Sequence, residues 1–142
     1  MTFDQACPHL VSEGYRETSA RTENYNCIAW AAGDTTQWWW PDQFNQYYWP
    51  NEAPRAETLQ AFIEAYELLG YTPCETSTYE HGYEKVAIYV DVSGKPTHAA
   101  RQLSDGTWTS KLGVYIDIMH YTLRGVEGPK YGAAIQFLSR KE

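Results

Sequence analysis

No apolar run in this chain approaches the ~20 residues that a membrane-spanning helix requires. The first residues, Met1-Thr2-Phe3-Asp4-Gln5, lack both the basic start and the apolar core of a secretory signal. A cytoplasmic protein is therefore expected, although a toxin exported without a cleaved signal looks the same. Cysteine is scarce: Cys7, Cys27 and Cys74 are odd in number and show no CxxC spacing, which argues against a disulfide framework and against a metal centre. His9, His81, His98 and His120 form no HExxH or paired Cys/His pattern, so no zinc site is expected. P-loop and GxGxxG sequences are missing too, and no cofactor is expected. Basic residues are scattered and the formal net charge is −7, which argues against binding nucleic acid or an anionic membrane. Repeats, linkers and low-complexity tracts are also lacking.

What the chain has in excess is aromatic side chains. They make up 15% of its 142 residues, with 6 Trp and 12 Tyr. Hydrophobic content of 43% and charged content of 20% suit one globular domain spanning 1–142. All the tryptophans but Trp108 fall between Trp30 and Trp49.

The order of elements reads as α+β. Residues 1–25 are polar and irregular and are expected to be a lead-in draped over the domain. Asn26 is a plausible N-cap for a short helix from Cys27 to Ala32, ended by Gly33-Asp34, with Ile28, Ala31 and Ala32 as its buried stripe. Residues 35–54 form a loop punctuated by Trp40-Pro41 and Trp49-Pro50, which exclude a regular helix or central strand. Leu59, Phe62, Ile63, Tyr66 and Leu69 recur at helical spacing after Pro54 and before Gly70. Strands are expected over 84–91, 97–103, 107–112 and 131–138, with one helical turn at 117–121. The resulting architecture is N-terminal helices packed on an antiparallel sheet.

Cys27 opens a helix and His98 opens a strand. A helix start favours a thiolate, and an imidazole can take the thiol proton, so the pair suits a cysteine nucleophile and its base. Packing alone can also place a cysteine on a small apolar helix, and a half-buried hairpin can hold a histidine. A third group should orient the imidazole. A two-residue Asp105-Gly106 loop would pair Ala100 with Lys111, whereas a three-residue loop from Ser104 would pair it with Ser110. Ser110 is the better candidate because a hydroxyl can accept the imidazole N–H; Asp117 and His120 are reserves. The aromatic loop either caps a small core or, with Asn26, Trp30, Trp38, Trp39, Trp40 and Trp49, lines a groove beside Cys27. Glu57, Glu64 and Glu67 read as a solvated helix face.

The string Asn26–Ala32, the Trp-Pro loop, Thr97-His98-Ala99-Ala100 and Trp108–Gly113 carry a resemblance. A cysteine on the first real helix and a histidine on the second core strand resemble the papain-like fold, closest to its NlpC-type bacterial peptidases and amidases. The same motifs are similar to a group of short uncharacterised bacterial proteins. The likeness covers roughly 24–138 in topology and is specific around Cys27 and His98. It implies a cysteine hydrolase, a thiol peptidase or amidase, acting on a peptide-like substrate through a thioester. In those peptidases the orienting residue comes from the next strand and is commonly His, Asn, Asp or Gln, from which Thr109-Ser110-Lys111 departs. An acyltransferase or deamidase with the same nucleophile, or a degenerate module that binds a protein partner without turnover, are the alternatives.

Overall fold

The computed structural model describes residues 2–142. Seven strands form one antiparallel sheet: β1 (Tyr15–Glu17), β2 (Thr72–Cys74), β3 (Tyr83–Val90), β4 (Pro96–Gln102), β5 (Trp108–Lys111), β6 (Asp117–His120) and β7 (Ala133–Lys141), in the order β1-β6-β5-β4-β3-β7-β2. Four α-helices accompany it: α1 (Phe3–Ala6), α2 (Pro8–Glu13), α3 (Cys27–Ala31) and α4 (Leu59–Glu67), with a 3-10 turn at Leu123–Val126. The architecture is α+β, as the sequence order implies. No helix among the described residues is long and apolar enough to cross a membrane.

Strand alternation gives the sheet two covered faces. Val86, Ile88 and Ala99 join Ile28, Phe62 and Tyr66 in a layer built from α3, α4 and the aromatic loop. Their neighbours Ala87, Tyr89 and Ala100 face the other way, into a layer with Leu10, Ile118 and Val126. Both layers are closed: Phe62, Tyr66, Leu10 and Ile118 have no exposed surface. Each such large apolar side chain contributes about 1.5–3 kcal/mol by leaving water.

The two expected helices form, the first with the cap expected of Asn26. Asn26 Oδ1 accepts from the Ala29 N–H at 3.1 Å and starts α3. Thr58, four residues beyond Pro54, caps α4 through the Ala61 N–H at 3.2 Å. Tyr66 then donates its hydroxyl to the Ile28 carbonyl at 2.9 Å, tying α4 to α3.

Three expectations are corrected. Residues 1–25 are not an irregular lead-in throughout, although Met1 lies outside the described residues. Pro8 sits at the first turn of α2, Leu10 is buried, and β1 pairs with β6. Residues 117–121 are not a helical turn either. Asp117–His120 is strand β6, in which alternate residues face opposite layers and all four are buried. The α3 stripe uses Ile28, Ala29 and Ala31, while Ala32 is half-buried. An edge strand, β2, was not anticipated because Pro73 lies in its middle; the edge tolerates the lost donor.

Candidate functional site

Cys27 occupies the first position of α3 and lines a cleft of about 310 Å³. Trp38, Trp40, Tyr47, Thr97, Lys130 and Tyr131 are among the residues that line it with Cys27. Cys27 is 7% exposed, and its thiol donates to the Thr97 carbonyl at 3.9 Å. Burial pushes the thiol up to about 11, against the Ala99, Ile28 and Cys27 N–H groups and the Lys111 charge, all of which favour the thiolate. Burial wins, so the resting sulfur is a neutral thiol. The sequence argument that a helix start would favour the thiolate is overridden: α3 has only five residues and Cys27 is buried.

The sulfur touches β4 on both sides of His98, through the Thr97 carbonyl and the Ala99 N–H. No hydrogen bond joins the Cys27 thiol to the imidazole. The His98 ring alternates with Ala99 and lies in the layer of Tyr89 and Tyr131, with ring centroids 5.1 and 4.4 Å away. Tyr131 belongs to both places: it packs on His98 and also lines the Cys27 cleft.

Behind His98 runs a buried polar chain. His98 Nε2 lies 3.0 Å from Ser110 Oγ, which lies 2.8 Å from His120 Nε2. His120 Nδ1 lies 2.8 Å from the Thr122 carbonyl oxygen. A carbonyl can only accept, so neutral His120 carries its proton on Nδ1 and accepts at Nε2. Ser110 therefore donates to His120 and accepts from His98 Nε2–H. That leaves His98 Nδ1 as a bare lone pair, and among the described residues it has no hydrogen-bond partner. Burial, then the nearby His120, lowers the His98 imidazole to about 3. Burial lowers His120 to about 4, against the opposing Thr122 carbonyl and Glu13. Both rings are neutral.

The strand register explains why Ser110 meets His98. Arg101 pairs with Thr109 and Gln102 with Trp108, the register of a three-residue loop rather than two. Lys111 consequently points to the other layer, where its ammonium donates to the Thr22, Gly113 and Tyr115 carbonyls. Asp117 accepts from the Tyr25 hydroxyl at 2.7 Å and does not reach His98 by any hydrogen bond.

The aromatic loop divides between structure and cleft. Trp38 and Trp40 line the cleft as anticipated. Trp39 and Trp49 do not: they are core residues, 6% and 3% exposed, with their indole N–H groups on Asp34 and the Pro54 carbonyl. Trp30 is also outside the cleft, stacked on Tyr25 and bonded to Thr109 Oγ1 at 3.0 Å. Asn26 borders the cleft, but its amide is spent on α3 and on the Trp39 backbone, N–H and carbonyl alike. Its role is to hold the loop against the helix.

Tyr47, Thr97, Lys130 and Tyr131 were not picked from the sequence. Gly132 is the one trace of the last pair. At φ +76 it brings the chain so close to β3 that a Cβ would stand 1.8 Å from the Val90 carbonyl oxygen. The neighbouring Tyr131 carbonyl accepts from the Thr97 hydroxyl. No group of three or more His, Cys, Asp or Glu side chains suited to a metal ion occurs among the described residues.

No curated protein and no solved structure matches the chain. One family, described as Domain of unknown function (DUF7689), matches residues 16–139, which takes in α3, the aromatic loop, β4 and the His98–Ser110–His120 chain. On that match, over most of its length, the chain belongs to the DUF7689 family.

Proposed function

We propose that this protein is a small papain-like cysteine hydrolase, a peptidase or amidase that opens an amide bond through a thioester on Cys27. One observation carries the reading: the sulfur lies under an aromatic-walled cleft, against the backbone on both sides of a histidine whose Nδ1 lone pair is unbonded. Buried polar atoms are nearly always paired, so an open acceptor at the end of an otherwise satisfied chain suits a proton acceptor. In the first step the Sγ–H proton passes to His98 Nδ1 as an Sγ–C bond forms with the substrate carbonyl. Collapse of the tetrahedral adduct breaks the C–N bond, and the amine leaves with that proton. Water, deprotonated by Nδ1, adds to the thioester carbonyl; the C–S bond breaks, releasing the acid and restoring the thiol. The Cys27 and Ile28 N–H groups at the start of α3, which already favour negative charge at the sulfur, serve as donors for the oxyanion. Ser110 and His120 hold the His98 tautomer that this scheme needs. An amine in place of water gives acyl transfer, and water acting on the thioester of a glutamine side chain, after ammonia has left, gives deamidation with the same nucleophile. A cytoplasmic site of action fits three thiols with no disulfide between them.

A second reading, a binding module without turnover, is favoured by a different observation. The thiol is spent on the Thr97 carbonyl, both reacting groups are held neutral, and no hydrogen bond links them. Alkylation by iodoacetamide separates the two. A hydrolase gives Cys27 labelling near neutral pH that falls roughly tenfold or more in His98→Ala, with the melting temperature showing that the variant is folded. Labelling that rises only toward pH 11, equally in both proteins, leaves the binding module.

A further inference from the structure

Tyr131 borders more than the Cys27 cleft. A second cavity, also about 310 Å³, opens on the far side of Lys130 and Tyr131, which line both. Its remaining wall includes Arg21, Tyr115, Leu112 and Cys7. The two cavities adjoin at Lys130 and Tyr131 and together make a groove, with Cys27 lining one part and Arg21 the other.

The charge in this groove is of one sign. The chain has 18 acidic residues against 11 basic ones, yet no Asp or Glu lines either cavity. Lys130 and Arg21 do, and among the described residues neither enters an ion pair. Each is held on an aromatic face instead: Arg21 lies 4.9 Å from the Tyr115 ring centroid and Lys130 lies 5.7 Å from that of Tyr131. A ring face orients a cation without neutralising it. The same Lys130 charge draws the Cys7 thiol down, against the larger effect of burial. Two uncompensated cations in a concave groove on an acidic protein attract an anion and repel cationic ligands.

We infer that the groove selects a ligand with a carboxylate: Lys130 and Arg21 receive the carboxylate while the amide lies over Cys27. The inference rests on the hydrolase reading for the placing of the amide, but the charge selection is separable from the chemistry. The ligand class is a short acidic peptide, or an acylated amino acid with a free carboxylate. A basic peptide is excluded.

The test uses two tripeptides that differ only in ending as carboxylate or carboxamide. As chloroacetyl derivatives they report alkylation of Cys27 by mass spectrometry; as acetyl derivatives they report binding to Cys27→Ala by calorimetry. The carboxylate peptide should react and bind about fivefold to tenfold better at low salt, with the preference shrinking as salt rises. In the doubly substituted Arg21→Gln/Lys130→Gln protein the ratio should fall to about one. Both side chains are exposed, so this variant is expected to fold. If Cys27→Ala prefers the carboxylate while the wild-type thiol ignores both chloroacetyl peptides, the hydrolase reading fails and the charge selection stands. Equal affinities, no binding of either acetyl peptide, or a preference that survives the double substitution overturns the inference.

Discussion

Ser110 Oγ stands 2.8 Å from His120 Nε2, and through that contact a carbonyl on a distant turn decides which nitrogen of His98 is bare. Removing the hydroxyl in Ser110→Ala leaves two buried ring nitrogens without partners. The expected loss is about 1–3 kcal/mol for each unsatisfied group. Nitrogen-15 chemical shifts should show one dominant His98 tautomer, protonated at Nε2, in the parent protein and a mixture in the variant. Identical spectra in the two proteins would remove the hydroxyl from this role.

Acid should unfold the protein through these two imidazoles. In the unfolded chain both take protons near 6.5, whereas burial holds them neutral in the fold down to about 3 for His98 and about 4 for His120. Between those values the unfolded state binds more protons, so stability falls as pH falls and is regained above 6.5. Calorimetric melting temperatures should drop through this window, and less steeply in a His98→Gln/His120→Gln protein than in the parent. A parent melting temperature flat from about 7 to about 4 would contradict the assignment of both rings as buried and neutral.

The tryptophans should separate into two groups on substitution. Trp49 is buried against Phe62, with ring centroids 4.9 Å apart, so Trp49→Ala should cost about 3–5 kcal/mol. Trp38 is half-buried on the cleft wall, and Trp38→Ala should cost roughly 1 kcal/mol while weakening ligands seated over Cys27. Chemical denaturation of the two variants measures the contrast; equal losses would show that Trp38 is also a core residue.

Asn26→Ala should damage the fold and the cleft together. Its side chain caps α3 and bonds both the N–H and the carbonyl of Trp39. Loss of the cap alone costs about 0.5–2 kcal/mol, and the Trp39 carbonyl and N–H are left unpaired as well. Hydrogen exchange should rise at Ala29 and Trp39 before it rises in α4. Protection unchanged at Trp39 would show that the loop is held by other contacts.

Local chemistry was legible in the sequence wherever one residue type has one physical use. Asn26 caps α3 because a short oxygen-bearing side chain satisfies first-turn N–H groups. Glycines such as Gly33 and Gly70, at φ +85 and +95, end helices because they accept left-handed backbone. Long-range arrangement was less legible. Which tryptophans face the cleft depends on how the loop closes through the Trp39–Tyr48 bridge, and nothing in its composition separates Trp38 from Trp39. Asp117–His120 alternates between two buried faces, so it shows neither the polar–apolar alternation of a half-exposed strand nor a helical stripe. The Ser110 register hinged on one residue of loop length, and His120 entered the chain only when β6 proved to be a strand.

Trapping of an acyl adduct tests the nucleophile most directly. A p-nitrophenyl ester of a short acyl group offers its carbonyl to the cleft, and Sγ–C bond formation expels p-nitrophenolate. Intact-protein and peptide mass spectrometry should find a hydroxylamine-labile acyl group on Cys27, transient in the parent and persistent in His98→Ala because water then lacks its base. An acyl group confined to the half-exposed Cys74, or none on any thiol, would contradict the assignment of Cys27.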